Sequence, residues 1–160
     1  FNDESLIIFL LIIIICISTD IGGYIFGKIF KGPRLTSISP KKTYSGMLGG
    51  YLLSIIIVYI YLNNLYLYSE NVVNFTFQYL IIVLTISTVS QIGDITVSYF
   101  KRLSNIKDTG KIIPGHGGIL DRIDGMIFAL PFSYIMFSII LTKWKKKLQL
   151  LVQQVQLEKL

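Results

Sequence analysis

The chain has 160 residues, of which 52% are hydrophobic and only 15% charged. Soluble domains carry roughly 25% charged residues, and here the apolar residues gather into long runs, so a water-soluble single-core domain is excluded. A single cysteine and the absence of any repeat exclude a disulfide scaffold, a collagen-like chain and a disordered one.

The formal charge is +6, from 15 Lys and Arg against 9 Asp and Glu. Its distribution says more than its sum. The basic residues fall between Lys28 and Lys42, between Lys101 and Arg122, and between Lys143 and Lys159. None lies in the stretches between, which is the pattern of membrane spans separated by polar loops. Nucleic acid is therefore a poor partner for this charge, and anionic lipids and phosphorylated ligands are better ones.

In chain order, the first expected span runs from Ser5 to Phe30. It is longer than the roughly 20 residues a bilayer core requires, and too long for a signal peptide. Cys16 lies inside it and reads as a small buried hydrophobe. The segment 31–46, KGPRLTSISPKKTYSG, breaks the helix with two prolines, two glycines and a concentration of basic residues. A second span is expected from Met47 to Tyr68, ending in interfacial tyrosines at 59, 61, 66 and 68. After a short turn at 69–74, a third span covers Phe75–Phe100. A polar loop, Lys101–Asp124, leads to a fourth span, Gly125–Thr142, in which Pro131 predicts a kink. The basic tail 143–160 reads either as an interfacial amphipathic helix or as disordered. The expected fold is thus all-α: a polytopic integral membrane helix bundle of about four transmembrane helices with a polar catalytic loop, comprising residues 1–142. The missing initiator Met and the apolar opening predict the carboxy-terminal portion of something longer.

Loop charge predicts the topology. Segments 31–46 and 101–124 are both basic and lie on one side, since two spans separate them, whereas 69–74 carries Glu70 and no Lys or Arg. The basic pair should face the cytoplasm. The tail conflicts with this rule, because four spans leave its lysines on the far side.

Charged residues near the middle of a span cost at least ~2.5–3.5 kcal/mol to insert and so are functional candidates. Asp20 and Asp94 are two such residues. Around Asp94, the residues Ser87, Ser90, Gln91, Ser98 and Lys101 recur at intervals of three and four and share one helix face. That face either hydrogen-bonds to neighbouring helices or lines a site. Gly23 and Gly27, four apart, serve either close helix packing or close approach of a ligand. The densest chemistry lies between Asp94 and Asp124. It combines Asp94, Asp108, Asp121 and Asp124 with five basic residues, the only histidine, His116, and several glycines. Carboxylates beside Lys and Arg are accounted for when a divalent cation and phosphates bridge them, since Mg²⁺ takes one or two protein carboxylates and fills its shell with phosphates and water. The PGHGG stretch offers backbone N–H groups that can approach phosphate closely. A solvated, salt-bridged loop is the competing account.

These residues also resemble a known family. Ser98-Tyr-Phe-Lys101-Arg102, Lys107-Asp108-Thr-Gly110, Ile113-Pro114-Gly-His116-Gly117-Gly118 and Leu120-Asp121-Arg122-Ile-Asp124 resemble the hallmark of the phosphatidate cytidylyltransferases, the CDP-diacylglycerol synthases. Upstream, Gly93-Asp94 and Ser39-Pro-Lys41-Lys42-Thr43 resemble further family segments, and Asp20-Ile-Gly-Gly-Tyr24 through Lys28 is similar to a third. In that region Ile21 stands where Thr is usual, Gly23 where Ala is usual, and Ser45 where Glu is common. The likeness covers about residues 5–142.

The resemblance implies a Mg²⁺-dependent nucleotidyltransferase that converts CTP and phosphatidate to CDP-diacylglycerol and pyrophosphate. It implies metal binding by Asp94, Asp121 and Asp124, with a second cation allowed for. Lys101, Arg102, Lys107 and Arg122 would bind phosphates, and Asp108 would orient a basic neighbour or help with a second cation. Substrate binding would draw on Lys41, Lys42, Ser98, His116, Gly117 and Gly118. A phosphate monoester is already largely ionised at neutral pH (second pKa about 6), so no strong base is required of His116. The implied partners are CTP, phosphatidate and membrane lipid, with a homodimer compatible and the bacterial inner membrane as the host. Two alternatives stay open: a CTP-dependent transferase acting on a lipid alcohol, in which His116 would be a base, and an inactive membrane fragment.

Overall fold

Backbone amides in hydrocarbon have no water to bond, so each long apolar run must close its hydrogen bonds within itself and forms a helix. The computed structural model describes residues 3–36, 39, 41–66, 77–106, 109–110, 118 and 120–157; for 3–5, 64–66, 122 and 140–157 it describes the backbone only. These residues form four helices: α1 (Asp3–Phe30), α2 (Tyr44–Tyr66), α3 (Phe77–Leu103) and α4 (Leu120–Leu157). Among the described residues there is no strand. Leu6–Phe30, Tyr44–Asn63 and Phe77–Leu103 are long and apolar enough to cross a membrane, while the apolar part of α4, Ile123–Ile139, is shorter. The fold is an all-α membrane bundle.

The helix ends differ from the sequence expectation, and local chemistry explains why. α2 begins at Tyr44 rather than Met47 because Thr43 caps it, its Oγ1 accepting the N–H of Gly46 at 3.1 Å. α3 continues past Phe100 to Leu103 and closes in a Schellman turn. There the N–H of Ile106 donates to Lys101 O and that of Asn105 to Arg102 O, both at 3.0 Å. Asn105 takes the left-handed conformation this turn requires, with φ 54°, and asparagine tolerates it better than most residues. α4 starts at Leu120, not Gly125, and continues through Pro131 to Leu157, so the expected tail is helical as far as that residue. Lys101, Arg102, Asp121, Arg122 and Asp124, expected in a loop, therefore stand on helices.

α1 packs chiefly on α2, and α3 on α4. Lipid tails are as apolar as leucine, so helices associate through close van der Waals fit and internal hydrogen bonds rather than through burial from water. The contacts follow that rule. A Cβ on Gly22 would lie 2.9 Å from the Cα of Gly50, and one on Gly125 would lie 2.8 Å from the carbonyl oxygen of Ser90. Ile15, Cys16, Val58, Val83 and Ile86 fill the centre, while Phe9, Ile56 and Ile60 face outward toward lipid. Hydroxyls tie the helices together, the buried pair Thr19 and Ser87 2.8 Å apart and the half-buried pair Tyr51 and Thr88 2.9 Å apart.

The connection between α1 and α2 is a short strap. Lys31 leaves α1 with a positive φ of 43°. The chain then doubles back, with Arg34 bridged antiparallel to Thr43 and Leu35 N–H donating to Lys42 O at 2.7 Å. This strap and the α3–α4 junction meet at one end of the bundle, as the charge pattern predicts.

Candidate functional site

A cavity of about 350 Å³ opens at that end, with walls supplied by all four helices and the strap. The carboxylates of Asp20, Asp94, Asp121 and Asp124 line it. They come from α1, α3 and the first turns of α4. Lys41, Lys42 and Ser39 of the strap close one side, and Thr19 and Gln91 form the inner part of the lining.

The position of each charge follows from its helix. On α3 the polar stripe turns inward: Ser87 and Ser90 are fully buried, Gln91 and Asp94 line the cavity, and Lys101 reaches α4. Lys101 Nζ lies 2.9 Å from Asp121 Oδ1 and 3.7 Å from Asp124 Oδ2, with all three side chains nearly buried. Asp121 Oδ2 accepts the N–H groups of Thr109 and Gly118, each at 2.9 Å. Burial would raise the Asp121 carboxyl, but the Lys101 ammonium and these two N–H groups outweigh it and hold it at about 2. A negative charge on the first turn of α4 is also favoured by the helix dipole. Asp121 is thus the clamp that fastens the α3–α4 connection to both helices.

Gly118 has to be glycine for this clamp. A Cβ there would lie 2.5 Å from Thr109 Oγ1 and 2.8 Å from Gly110 N, closing the space in which the chain wraps the carboxylate. Asp124, one turn further along α4, accepts its neighbour's N–H from Gly125 at 2.9 Å and stands within side-chain hydrogen-bonding reach of Asp94. Asp94 in turn forms an ion pair with Lys42. Two carboxylates facing each other repel unless a proton or a cation lies between them. Among the described residues no three carboxylate, imidazole or thiol groups stand close enough to hold one ion together. The facing pair Asp94 and Asp124 could hold a cation such as Mg²⁺, which needs only one or two protein carboxylates.

The remaining sequence candidates distribute unevenly. Lys41 is exposed on the cavity rim. Ser98 is half-buried on α3, on the face that carries Asp94 and Lys101. Arg102 is exposed, its Nη1 3.5 Å from the carbonyl oxygen of Ile106 beyond the end of α3. Arg122 is on α4 as a backbone position only, and Lys107, Asp108, His116 and Gly117 lie outside the described residues. Gly27 packs against Thr43, the cap of α2, and against Gly46 within it, whereas Gly23 also lines the cavity.

Sequence reasoning missed Thr19, Tyr24 and Thr109. No pattern singles out Thr19 on an otherwise apolar helix, and Tyr24 enters the sequence reading only within the family-like segment from Asp20 to Lys28, with no role assigned. Thr109 contributes its backbone N–H, a group every residue type but proline carries. Asp20 gave a usable signal, a carboxylate within a span, but nothing in the sequence alone places it across from Asp94.

The cytidylyltransferase family model matches residues 1–140. The chain is 37% identical over 144 residues to a phosphatidate cytidylyltransferase of Haemophilus influenzae, an alignment that covers 86% of this chain and 48% of that protein. It is 41% identical over 121 residues to the phosphatidate cytidylyltransferase of Thermotoga maritima, covering 74% of this chain and 43% of the relative. The corresponding Bacillus subtilis protein is 37% identical over 123 residues, with 76% and 44% covered. The chain therefore spans about half the length of the curated relatives it matches.

Proposed function

This chain belongs to the cytidylyltransferase family, and from that membership we propose that it transfers a cytidylyl group from CTP to phosphatidate. The products are CDP-diacylglycerol and pyrophosphate. The observation that carries this reading is one cavity in which carboxylates from three helices meet Lys42 of the strap, with Lys101 nearly buried behind them.

In the proposed reaction a phosphate oxygen of the lipid attacks the α-phosphorus of CTP, and the bond to the bridging oxygen of the leaving pyrophosphate breaks. The nucleophile is already ionised near neutral pH, so the protein's task is to position two anions and offset their charge. Asp94 and Asp124 would hold Mg²⁺, and the ion would neutralise triphosphate charge. Asp121 lines the same space while fastening Lys101 and the α3–α4 connection in place. A second cation has room among the same carboxylates, with Asp20 opposite Asp94. Lys42, Lys41 and Lys101 supply positive charge described in the structure. Arg102, Lys107 and Arg122 join them as phosphate ligands on the family resemblance, as do His116 and Gly117 in ordering the substrate and Asp108 in orienting a basic neighbour.

The cavity opens at the end of the bundle where both basic segments lie, which supports a cytoplasmic mouth reached by soluble CTP and, from the membrane, by lipid phosphate. The relatives are bacterial proteins, in keeping with the inner membrane as host. The test is direct. Purified protein in phosphatidate-containing micelles is incubated with labelled CTP and Mg²⁺, beside a full-length relative. Formation of labelled CDP-diacylglycerol that requires both phosphatidate and Mg²⁺ supports the proposal. Transfer to a lipid alcohol, with phosphatidate inert, sinks it.

A further inference from the structure

Lys42 differs from the other basic residues of the strap in how it is held. Its N–H donates to Ser39 O at 3.0 Å, its carbonyl accepts the N–H of Leu35 at 2.7 Å, and the next residue caps α2. The backbone is thus pinned on both sides, while four side-chain torsions remain free to move the ammonium. Lys41, beside it, is exposed. The Lys42 ammonium bonds Asp94 Oδ2, with both side chains about three-quarters buried. The other charges acting there are Asp20 from α1 and, facing Asp94 from α4, Asp124, which Lys101 partly offsets.

We propose that Lys42 is a substrate-positioning residue that exchanges partners: a cation bound at Asp94 displaces its ammonium, which then binds a phosphate of the incoming polyphosphate. This inference rests on the cation reading of the site given above. The exchange follows from charge accounting. An ammonium and a divalent cation brought to the same carboxylate repel each other and divide its single negative charge, and a displaced ammonium in a half-dry cavity requires a new anion. The triphosphate that accompanies the cation is that anion. Cation and polyphosphate then favour each other's binding through Lys42, and by linkage the coupling is reciprocal. A cation arriving alone must displace Lys42 with only Asp20 left to receive it, so the site discriminates in favour of the loaded pair.

Two measurements on the purified chain in micelles test this, and neither requires turnover. In the first, Mn²⁺ binding is followed by its electron paramagnetic resonance signal in wild type, Lys42→Met and Asp94→Asn. Removing the competitor should tighten Mn²⁺ binding by roughly threefold to tenfold in Lys42→Met, and Asp94→Asn should weaken it. In the second, wild-type protein is acetylated with an amine reagent and mapped by mass spectrometry, with Lys41 as internal reference. Mg²⁺ alone should raise acetylation at Lys42 relative to Lys41, and Mg²⁺ with inorganic triphosphate should protect it again. Mn²⁺ bound no tighter by Lys42→Met, or Lys42 acetylation indifferent to Mg²⁺, overturns the exchange and leaves the cation site standing. Absence of Mn²⁺ binding in wild type and Asp94→Asn alike overturns the cation reading and the exchange together. If Lys42→Met does not insert, the wild-type acetylation pattern decides.

Discussion

The ammonium of Lys101 lies 2.9 Å from Oδ1 of Asp121, joining the last turn of α3 to the first turn of α4. The Schellman turn sets the lysine, because Lys101 O is the acceptor that ends α3. The aspartate is set by the start of α4 and by the two backbone N–H groups that donate to its other oxygen. The site therefore hangs on how two helices end, and several expectations follow from that.

Replacing Lys101 by Met leaves Asp121 charged, nearly buried and short of its cation, and takes from Asp124 the ammonium beside it. Breaking such a pair from one side costs about 3–5 kcal/mol. A marked fall in the thermal midpoint in detergent is expected, with Lys101→Arg recovering most of it. A midpoint unchanged in Lys101→Met would mean that the ion pair contributes nothing to the fold.

Asp121 also gives a signed pH dependence. Its carboxyl sits at about 2 in the folded chain, below the roughly 3.9 of an unperturbed aspartate. A folded value below the unfolded one contributes stability that is complete above the unfolded pKa and is lost as pH falls through the folded one. Between about pH 4 and pH 2, wild-type protein should therefore lose stability more steeply than Asp121→Asn. Unfolding midpoints across that window check it, and parallel curves would refute it.

Asp94→Asn keeps the side-chain volume and removes the charge that pairs with Lys42 and faces Asp124. Turnover should fall by orders of magnitude while membrane insertion and the helix content by circular dichroism stay as in wild type. Near-normal transfer would take Asp94 out of the chemistry.

Gly125→Ala tests helix approach. Alanine favours a helix by roughly 1 kcal/mol over glycine, yet its Cβ would meet Ser90 Oγ at 2.6 Å and Ser90 O at 2.8 Å. α3 and α4 must separate, which moves Asp124 away from Asp94. Activity should drop more than stability does. A stabilised and fully active variant would show that the close crossing is dispensable.

Sidedness can be read with cysteines placed at Lys41 and at Glu70 in a chain whose buried Cys16 is replaced by alanine. An impermeant thiol reagent applied from outside should label position 70 alone, and position 41 only after the cytoplasmic face is opened. Labelling of position 41 from outside would invert the topology.

Much of this protein is determined by its sequence alone. Apolar runs longer than a bilayer core dictate helices, because hydrocarbon offers backbone amides no other partner, and the hallmark from Ser98 to Asp124 marks the family. The three-and-four spacing from Ser87 to Lys101 identifies the inward face of α3, because helical geometry alone sets which residues share a side. Periodicity stops at the face, and the partner across from it is a matter of tertiary structure. Which carboxylate Lys42 meets and which two Lys101 joins are decided where the helices cross. So is the meeting of Asp20 with Asp94 in one cavity. Those crossings depend on van der Waals approach at Gly22, Gly50 and Gly125, contacts between residues distant in the chain that no local pattern records. The helix ends were hidden for a related reason. Thr43, Asn105 and Asp121 stop or start helices through one or two hydrogen bonds each, and these bonds form only once the chain has already turned.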